Sequence, residues 1–306
     1  MAAMPNRSRE EISTAVSTWG RPREIAWRAW RWAATFDQGL IAFAADDDDG
    51  WDRLRREGAL LACLRDRVAF GIPGVIVEDE ARRLQLRRMV PGITGQAVEQ
   101  LVFGHATIES AGARYRPGLP LTREGARLAR DLGRALGELQ HAVSVDDAHA
   151  LGFGRREYGP IVTEIDAYLT RRHDLRDLHE VLLSLRSWFA MLPEHLAFCL
   201  CDLQLHNMSV RPQDGGLGGL FDFDDAAVAD GLEDFKYLPS FGIAFTQTAL
   251  EAFVAAGGRA ASIADIGRFH VLSALEHFLF VPEESERWPR IVEWVRSAVA
   301  HFARDW

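Results

Sequence analysis

The chain has 306 residues, of which 35 are basic and 44 acidic, so its formal net charge at pH 7 is -9. This acidic balance argues against non-specific nucleic-acid binding, which needs cations that neutralise phosphates. With 48% hydrophobic and 26% charged residues, the composition is that of one large globular domain or two ordinary ones.

Strands dominate the first ninety residues. Runs of strand length, bounded by turn residues, occur at 26–32, 40–44, 74–78 and 84–90. Between the second and third runs lies one amphipathic helix. The aspartates at 46–49 precede it, where the helix dipole favours anions, and we interpret them as a capping cluster.

The sequence Val90-Pro91-Gly92 breaks this pattern and predicts a hinge. Leucines and other apolar residues then repeat at helical spacing, which predicts helices at 122–143, 174–192, 246–256, 263–281 and 288–302. One non-helical segment interrupts this half. It contains predicted short strands at 196–201, 208–210 and 217–221, the last two joined by a hairpin.

Three polar side chains lie at the ends of those short strands. Asp202 follows the first, Asn207 precedes the second five positions later, and Asp222 follows the third. Phosphoryl transfer from a nucleotide needs a carboxylate that accepts the proton of the attacking hydroxyl, and oxygen ligands that hold Mg²⁺. The spacing therefore suggests Asp202 as the base and Asn207 and Asp222 as metal ligands, with Asp224 or Asp225 assisting.

These motifs resemble the aminoglycoside phosphotransferase superfamily, which also includes choline kinases and has a protein-kinase-like fold. The resemblance rests on residues 202–207, the hairpin, the segment FDFDDA at 221–226, and Asp230 and Asp234 downstream. It implies an α+β, two-lobed fold with a small strand-rich N-lobe and a larger, mainly helical C-lobe. It further implies a nucleotide-binding lobe at 1–91, a catalytic and substrate-binding lobe at 92–306, and Asp234 as a structural brace. Glu57 matches the small-lobe helix glutamate.

The chain departs from the family at three places. Leu200-Cys201 stands where the family has His-Gly, and Gln204 stands where it has His. The family's phosphate-anchoring lysine falls on Ala42 or Phe43. The chain has a single lysine, Lys236, which follows the metal motif.

An arginine on a neighbouring strand is a candidate replacement for that lysine, because guanidinium binds phosphate well. Arg28 and Arg31 are the first candidates, and Arg87 and Arg88 are secondary ones. A decayed nucleotide site is the alternative explanation. The retention of the base Asp202, the metal ligands Asn207 and Asp222, and Glu57 argues against decay.

The expected activity is Mg²⁺-dependent transfer of the γ-phosphate of ATP or GTP to a hydroxyl of a small molecule. An antibiotic such as an aminoglycoside, nucleoside or macrolide would serve as acceptor. In the family the acceptor lies against the C-terminal helices, which here offer carboxylates and rings at Glu276, His277, Glu283, Glu284, Glu286, Trp288 and Trp294. The alternative is a pseudokinase-like protein that binds nucleotide or metabolite without transferring phosphate.

Few features bear on location and partners. Three cysteines are too few for a disulfide framework, and the first twenty residues lack the apolar segment of a signal peptide. No run approaches the roughly 18 apolar residues of a membrane span. We therefore expect a cytoplasmic monomer or dimer without nucleic-acid or membrane partners.

Overall fold

The computed structural model describes residues 5–28, 30–103, 121–192 and 195–303. As predicted, a small N-terminal lobe built on one antiparallel sheet precedes a larger, mainly helical lobe. The sheet has the strand order β1-β2-β3-β5-β4. Its strands are β1 (Glu24–Arg28), β2 (Arg31–Phe36), β3 (Leu40–Ala45), β4 (Gly74–Asp79) and β5 (Leu84–Arg88).

Two helices accompany this sheet, α1 (Arg9–Val16) and α2 (Asp48–Leu64). The predicted cap is present, because the Asp47 side chain accepts a hydrogen bond from the N–H of Gly50 at 2.8 Å. The first turns of α2 pack with the sheet, whereas its last leucines belong to the core of the helical lobe. The helix that carries Glu57 is therefore anchored in both lobes.

The prediction of one strand over residues 26–32 was wrong. The chain turns after Arg28, so this segment contributes the end of β1 and the start of β2, and the two strands pair with Arg28 opposite Arg31. The alternating Trp-Arg pattern is compatible with a strand on either side of the turn, and no Gly, Pro or Asn marks the turn itself.

The helical lobe contains the five helices that the periodicity predicts, with ends that differ by up to three residues. They are α4 (Arg123–Ala142), α7 (Arg176–Met191), α8 (Ile243–Ala255), α9 (Ile263–Phe280) and α10 (Trp288–Phe302). Three shorter helices were not predicted, α3 (Gln96–Phe103), α5 (Val145–Ala150) and α6 (Tyr158–Leu169). No helix in the described part of the chain is long and apolar enough to cross a membrane.

Two small antiparallel sheets interrupt these helices. Strand β7 (Met208–Val210) pairs with β8 (Leu217–Leu220) as the predicted hairpin, and β6 (Leu196–Cys199) pairs with β9 (Ala227–Asp230). Strand β9 was not predicted, because its four residues AVAD show no alternation. The segments between β6 and β7 (200–207) and between β8 and β9 (221–226) connect the ends of these strands.

The connection between the lobes depends on a glycine. Gly92 has a φ of 135°, in the region that favours glycine, and a Cβ there would lie 2.2 Å from Ser209 Oγ and 2.6 Å from the carbonyl oxygen of Val210. The next residue, Ile93, donates its N–H to that carbonyl at 2.9 Å. The connecting segment therefore lies directly against the β7–β8 hairpin.

We expect Gly92→Ala to destabilise the protein by about 1–3 kcal/mol, because it adds both backbone strain and a contact with backbone atoms. Gly95→Ala is the matched control, since Gly95 also has positive φ (56°) but open space around its Cβ position. Thermal unfolding should show a larger loss for Gly92→Ala. Equal losses would mean that the close approach to the hairpin contributes nothing.

Candidate active site

The loop after β6 is held from beneath by Asp234. Its two carboxylate oxygens accept hydrogen bonds from the backbone N–H groups of Leu200 (3.1 Å) and Cys201 (2.8 Å). Burial raises the pKa of Asp234 to about 7, although both backbone hydrogen bonds act to lower it. This contact is the brace that the family resemblance implies.

Cys201 occupies the position of the family's glycine, and its backbone shows why a glycine suits it. Its φ is 62°, in the left-handed region that costs L-residues roughly 1–2 kcal/mol. The hydrogen bond to Asp234 holds Cys201 in this conformation. Cys201 directly precedes Asp202, so its backbone conformation sets the direction of the loop at Asp202.

The Asp202 carboxylate is fixed on both sides. Asn207 Nδ2 donates to Asp202 Oδ2 at 2.9 Å and to its carbonyl oxygen at 2.8 Å, while Gln204 Nε2 donates to Oδ1 at 2.6 Å. Gln204 was noted in the sequence only as a departure from the family, and its orienting role was missed. Because the Asn207 nitrogen is engaged with Asp202, its side-chain oxygen is the atom that can face a cation.

Asp222 lies beside this pair. The N–H of Phe221 donates to the carbonyl oxygen of Asn207 at 3.1 Å, which fixes the end of β8 against the loop that carries Asp202. Asp222 follows with a φ of 64°, which Asp tolerates better than most residues. Its side chain is 42% exposed, while Oδ1 accepts a hydrogen bond from Arg31 Nη2 at 2.6 Å. The second carboxylate oxygen, Oδ2, takes no part in this hydrogen bond.

Asp224 and Asp225 complete an acidic cluster. Asp224 Oδ2 accepts a hydrogen bond from Trp30 Nε1 at 2.6 Å, so a small-lobe side chain already engages this predicted metal ligand. The pKa of Asp225 is raised, first by burial and then by the charges of Asp224, Asp202 and Asp222. Carboxylates that close together favour a bound cation.

The site fits a magnesium ion that is shared with phosphates. Within the described ranges, no three His, Cys, Asp or Glu side chains are arranged to hold a metal by themselves. Magnesium commonly takes one or two carboxylates and completes its shell with phosphate oxygens and water. The Oδ atoms of Asn207 and Asp222 provide that donor set.

Glu57 lies at the centre of the small-lobe side of the site. Its Oε2 contacts two guanidinium groups, from Arg87 Nη1 at 2.7 Å and Arg31 Nη1 at 3.2 Å, and its Oε1 accepts the N–H of Phe223 at 3.2 Å. Burial acts to raise the pKa of Glu57, but the two arginines outweigh it and hold the pKa below its ordinary value. The carboxylate is therefore ionised.

Phe43, one of the two positions on which the family lysine falls, places its aromatic ring against two arginines. Arg31 lies over the Phe43 ring at 4.3 Å from its centroid, and Arg87 lies over it at 4.9 Å. Both arginines come from strands adjacent to β3, since β2 and β5 flank it. Arg28 is not brought into this group. It is exposed and lies 4.0 Å from Glu24.

Tyr237 and two residues of α9, Glu276 and His277, belong to the helical lobe that also carries Asp202. Burial raises the pKa of Tyr237; the charge of Lys236 opposes the increase and that of Asp202 adds to it. The Asp202 charge also acts on His277, which contacts the carbonyl oxygen of Ser273 at 2.8 Å. Glu276, one residue before it, pairs with Arg156 at 2.8 Å.

Two further residues expected around the acceptor have structural contacts instead. Glu283 pairs with Arg172 and accepts a hydrogen bond from the Tyr168 hydroxyl at 2.7 Å. Trp294 is buried in the core between α7, α9 and α10. Their positions on the helices follow from packing of this core.

A glutamate beneath the site belongs to a buried ionic network. Glu233 Oε1 contacts Lys236 Nζ at 2.6 Å and Arg156 Nε at 2.8 Å, and its Oε2 accepts the Tyr158 hydroxyl at 2.9 Å. The single lysine of the chain is thus a structural partner of Glu233.

Comparisons with known proteins identify the family and the fold of this chain. Residues 52–270 match the model of the phosphotransferase enzyme family. The chain therefore belongs to this family. The match starts within α2, after the strand on which the anchoring lysine would stand. A search of curated proteins found no match to the sequence.

Solved structures share the fold over almost the whole chain. The GDP and kanamycin complex of an APH(2″) enzyme has a TM-score of 0.72 and 17% identity, with 94% of this chain and 98% of that chain covered. The streptomycin–ATP complex of APH(2″)-IIa has a TM-score of 0.65 and 17% identity, with 98% of both chains covered. A macrolide 2′-phosphotransferase type I has a TM-score of 0.66 and 18% identity, with 98% and 99% covered.

Proposed function

We propose that the protein transfers the γ-phosphate of ATP or GTP to a hydroxyl group of a small molecule. The observation that carries this proposal is the pairing of Asp202 with Asn207 beside Asp222. In this proposal the Asp202 carboxylate acts as the base, and side-chain oxygens of Asn207 and Asp222 bind a cation. Site and family membership point to the same chemistry.

In the proposed reaction, the Asp202 carboxylate accepts the proton of the acceptor hydroxyl as its oxygen attacks the γ-phosphorus. The bond from that phosphorus to the bridging oxygen breaks, and the nucleoside diphosphate leaves. Gln204 and Asn207 orient the carboxylate, which lowers the entropic cost of alignment. A bound magnesium ion, held by Asn207 and Asp222, would neutralise the phosphate charge.

We place the acceptor between Asp202 and the face formed by Tyr237, Glu276 and His277. Two carboxylates near this face, Glu276 and Glu233, already pair with Arg156. They therefore attract a cationic amino sugar less than free carboxylates would. This favours a weakly charged acceptor such as a macrolide or nucleoside over a polycationic aminoglycoside.

The function is tested in two stages. Mg·ATP or Mg·GTP in hundredfold excess over its Kd should stabilise the fold by about 2.7 kcal/mol, seen as a higher melting temperature that chelation with EDTA reduces. Incubation with macrolides, nucleosides and aminoglycosides should then yield an acceptor whose mass has increased by one phosphoryl group.

The alternative pseudokinase-like protein would behave differently in the second stage. It would bind nucleotide, or a metabolite, but give neither a phosphorylated acceptor nor release of nucleoside diphosphate. Absence of both products across the panel, with nucleotide binding intact, would favour that alternative.

A further inference from the structure

We propose that Arg31 is the phosphate-anchoring residue of this enzyme and that Arg87 is a positioning residue for Glu57. Two arginines on β2 and β5 then replace one lysine on β3. This inference rests on the proposed function and deepens it. It assigns the phosphate contact to Arg31, which does not stand on the strand where the family has its lysine.

The two arginines differ in how a ligand can reach them. The Arg87 side chain is 2% exposed, and its Nε donates to Gln85 Oε1 at 2.6 Å while its Nη1 contacts Glu57. The Arg31 side chain is 8% exposed, and its Nη2 ends on the exposed Asp222 carboxylate. A phosphate that approaches Asp222 therefore meets Arg31 first.

The charges of the cluster support this assignment. Glu57 carries one negative charge and is shared by two guanidinium groups, so the three residues have a surplus of one positive charge. In the structure Asp222 balances that surplus through Arg31. When a cation engages Asp222, the surplus becomes available to an anion, and a polyphosphate brings that anion beside the cation.

Arg87 keeps Glu57 in place during this exchange. Arg31 can leave Asp222 without leaving Glu57 unpaired, because Arg87 holds Oε2 and the Phe223 N–H holds Oε1. Nη2 of Arg87 is a buried donor without a hydrogen-bond partner among the described residues. The cluster thus contains more donors than acceptors, as suits an anion site.

The test measures nucleotide affinity by calorimetry on the full chain, with Mg·ATP, Mg·GTP and the two nucleosides. We expect the wild type to bind Mg·ATP or Mg·GTP. Arg31→Met should weaken the binding of that triphosphate by about 10- to 100-fold, because a charge-assisted contact is lost. It should leave any binding of the corresponding nucleoside unchanged. Arg31→Lys should lose less. Arg23→Met is the control, because Arg23 is exposed and pairs with exposed Asp37 at 3.4 Å.

Two further variants test the geometry. Phe43→Lys in the Arg31→Met background places an ammonium group on β3 beside the space that the Arg31 guanidinium leaves, and we expect it to recover at least part of the lost affinity. Arg87→Met should reduce kcat more than it raises the nucleotide KM, and Arg87→Lys should restore kcat. Melting temperatures measured without nucleotide identify any variant that fails to fold. If a methionine variant fails to fold, the lysine variant at the same position is measured in its place.

The outcomes separate this inference from the function. If the wild type binds triphosphate and Arg31→Met and Arg31→Lys both bind it equally well, Arg31 is not the anchor and the inference is overturned, while the phosphotransferase stands. If Arg87→Lys fails to restore kcat, Arg87 is not a positioning residue. If the wild type binds no triphosphate, the proposed function itself fails, and this inference with it.

Discussion

Asp202→Asn is expected to lower turnover by about 10²- to 10⁴-fold, the usual contribution of a general base. The amide is isosteric with the carboxylate but cannot accept a proton. One side-chain oxygen remains to accept a hydrogen bond from Asn207 or Gln204, so the loop should keep its shape. Because Asp202 is not among the residues that hold the nucleotide, the nucleotide-dependent rise in melting temperature should persist.

The control for this variant is Asp146→Asn, the same change at an exposed position in the first turn of α5. It should turn over like the wild type. Steady-state kinetics with the acceptor identified by the panel gives kcat and KM for each protein. A fully active Asp202→Asn enzyme would remove Asp202 from the role of base, whatever its effect on stability.

Glu233→Gln should cause the largest loss of stability among the changes considered, about 3–5 kcal/mol. It removes a buried negative charge that faces Lys236 and Arg156, and the new amide presents an N–H₂ to groups that are themselves donors. Burial acts to raise the pKa of Glu233, yet the two cations hold that pKa below its ordinary value, so the native group is charged.

The matched control is Glu283→Gln, since Glu283 is also paired with an arginine but its side chain is 48% exposed. Exposed ion pairs contribute about 0–1 kcal/mol, so this control should unfold close to the wild type. Glu233→Gln should unfold about 6 °C or more below the wild type. A melting temperature equal to that of the control would show that the buried network adds no net stability.

Local features of the site were predictable from the sequence, and long-range ones were not. Asn207 and Asp222 flank the β7–β8 hairpin, and Asp202 lies only five residues before Asn207, so spacing along the chain was enough to bring them together. The long amphipathic helices were predictable for the same reason, since one face of each repeats every three or four residues.

The contacts of Arg31 and Arg87 with Glu57 depend on strand pairing, which residue spacing along the sequence does not reveal. Strand β3 pairs with β5 and not with β4, and this crossover brings Arg87 next to Glu57. Arg28 lies opposite Arg31 across the turn between β1 and β2, yet its side chain is exposed near Glu24 while that of Arg31 contacts Glu57. The Trp30 contact to Asp224 spans the two lobes and had no local signal.

The burial of Lys236 has a consequence for chemistry performed on this protein. Acylating dyes and electrophilic ATP analogues attack neutral, accessible amines. Lys236 is the one lysine of the chain, is buried, and has its pKa raised by Glu233 despite the opposing effect of burial. Such reagents therefore find no lysine to modify on the folded protein and gain one when it unfolds. The number of acylated lysines, zero or one, becomes a direct count of unfolded molecules.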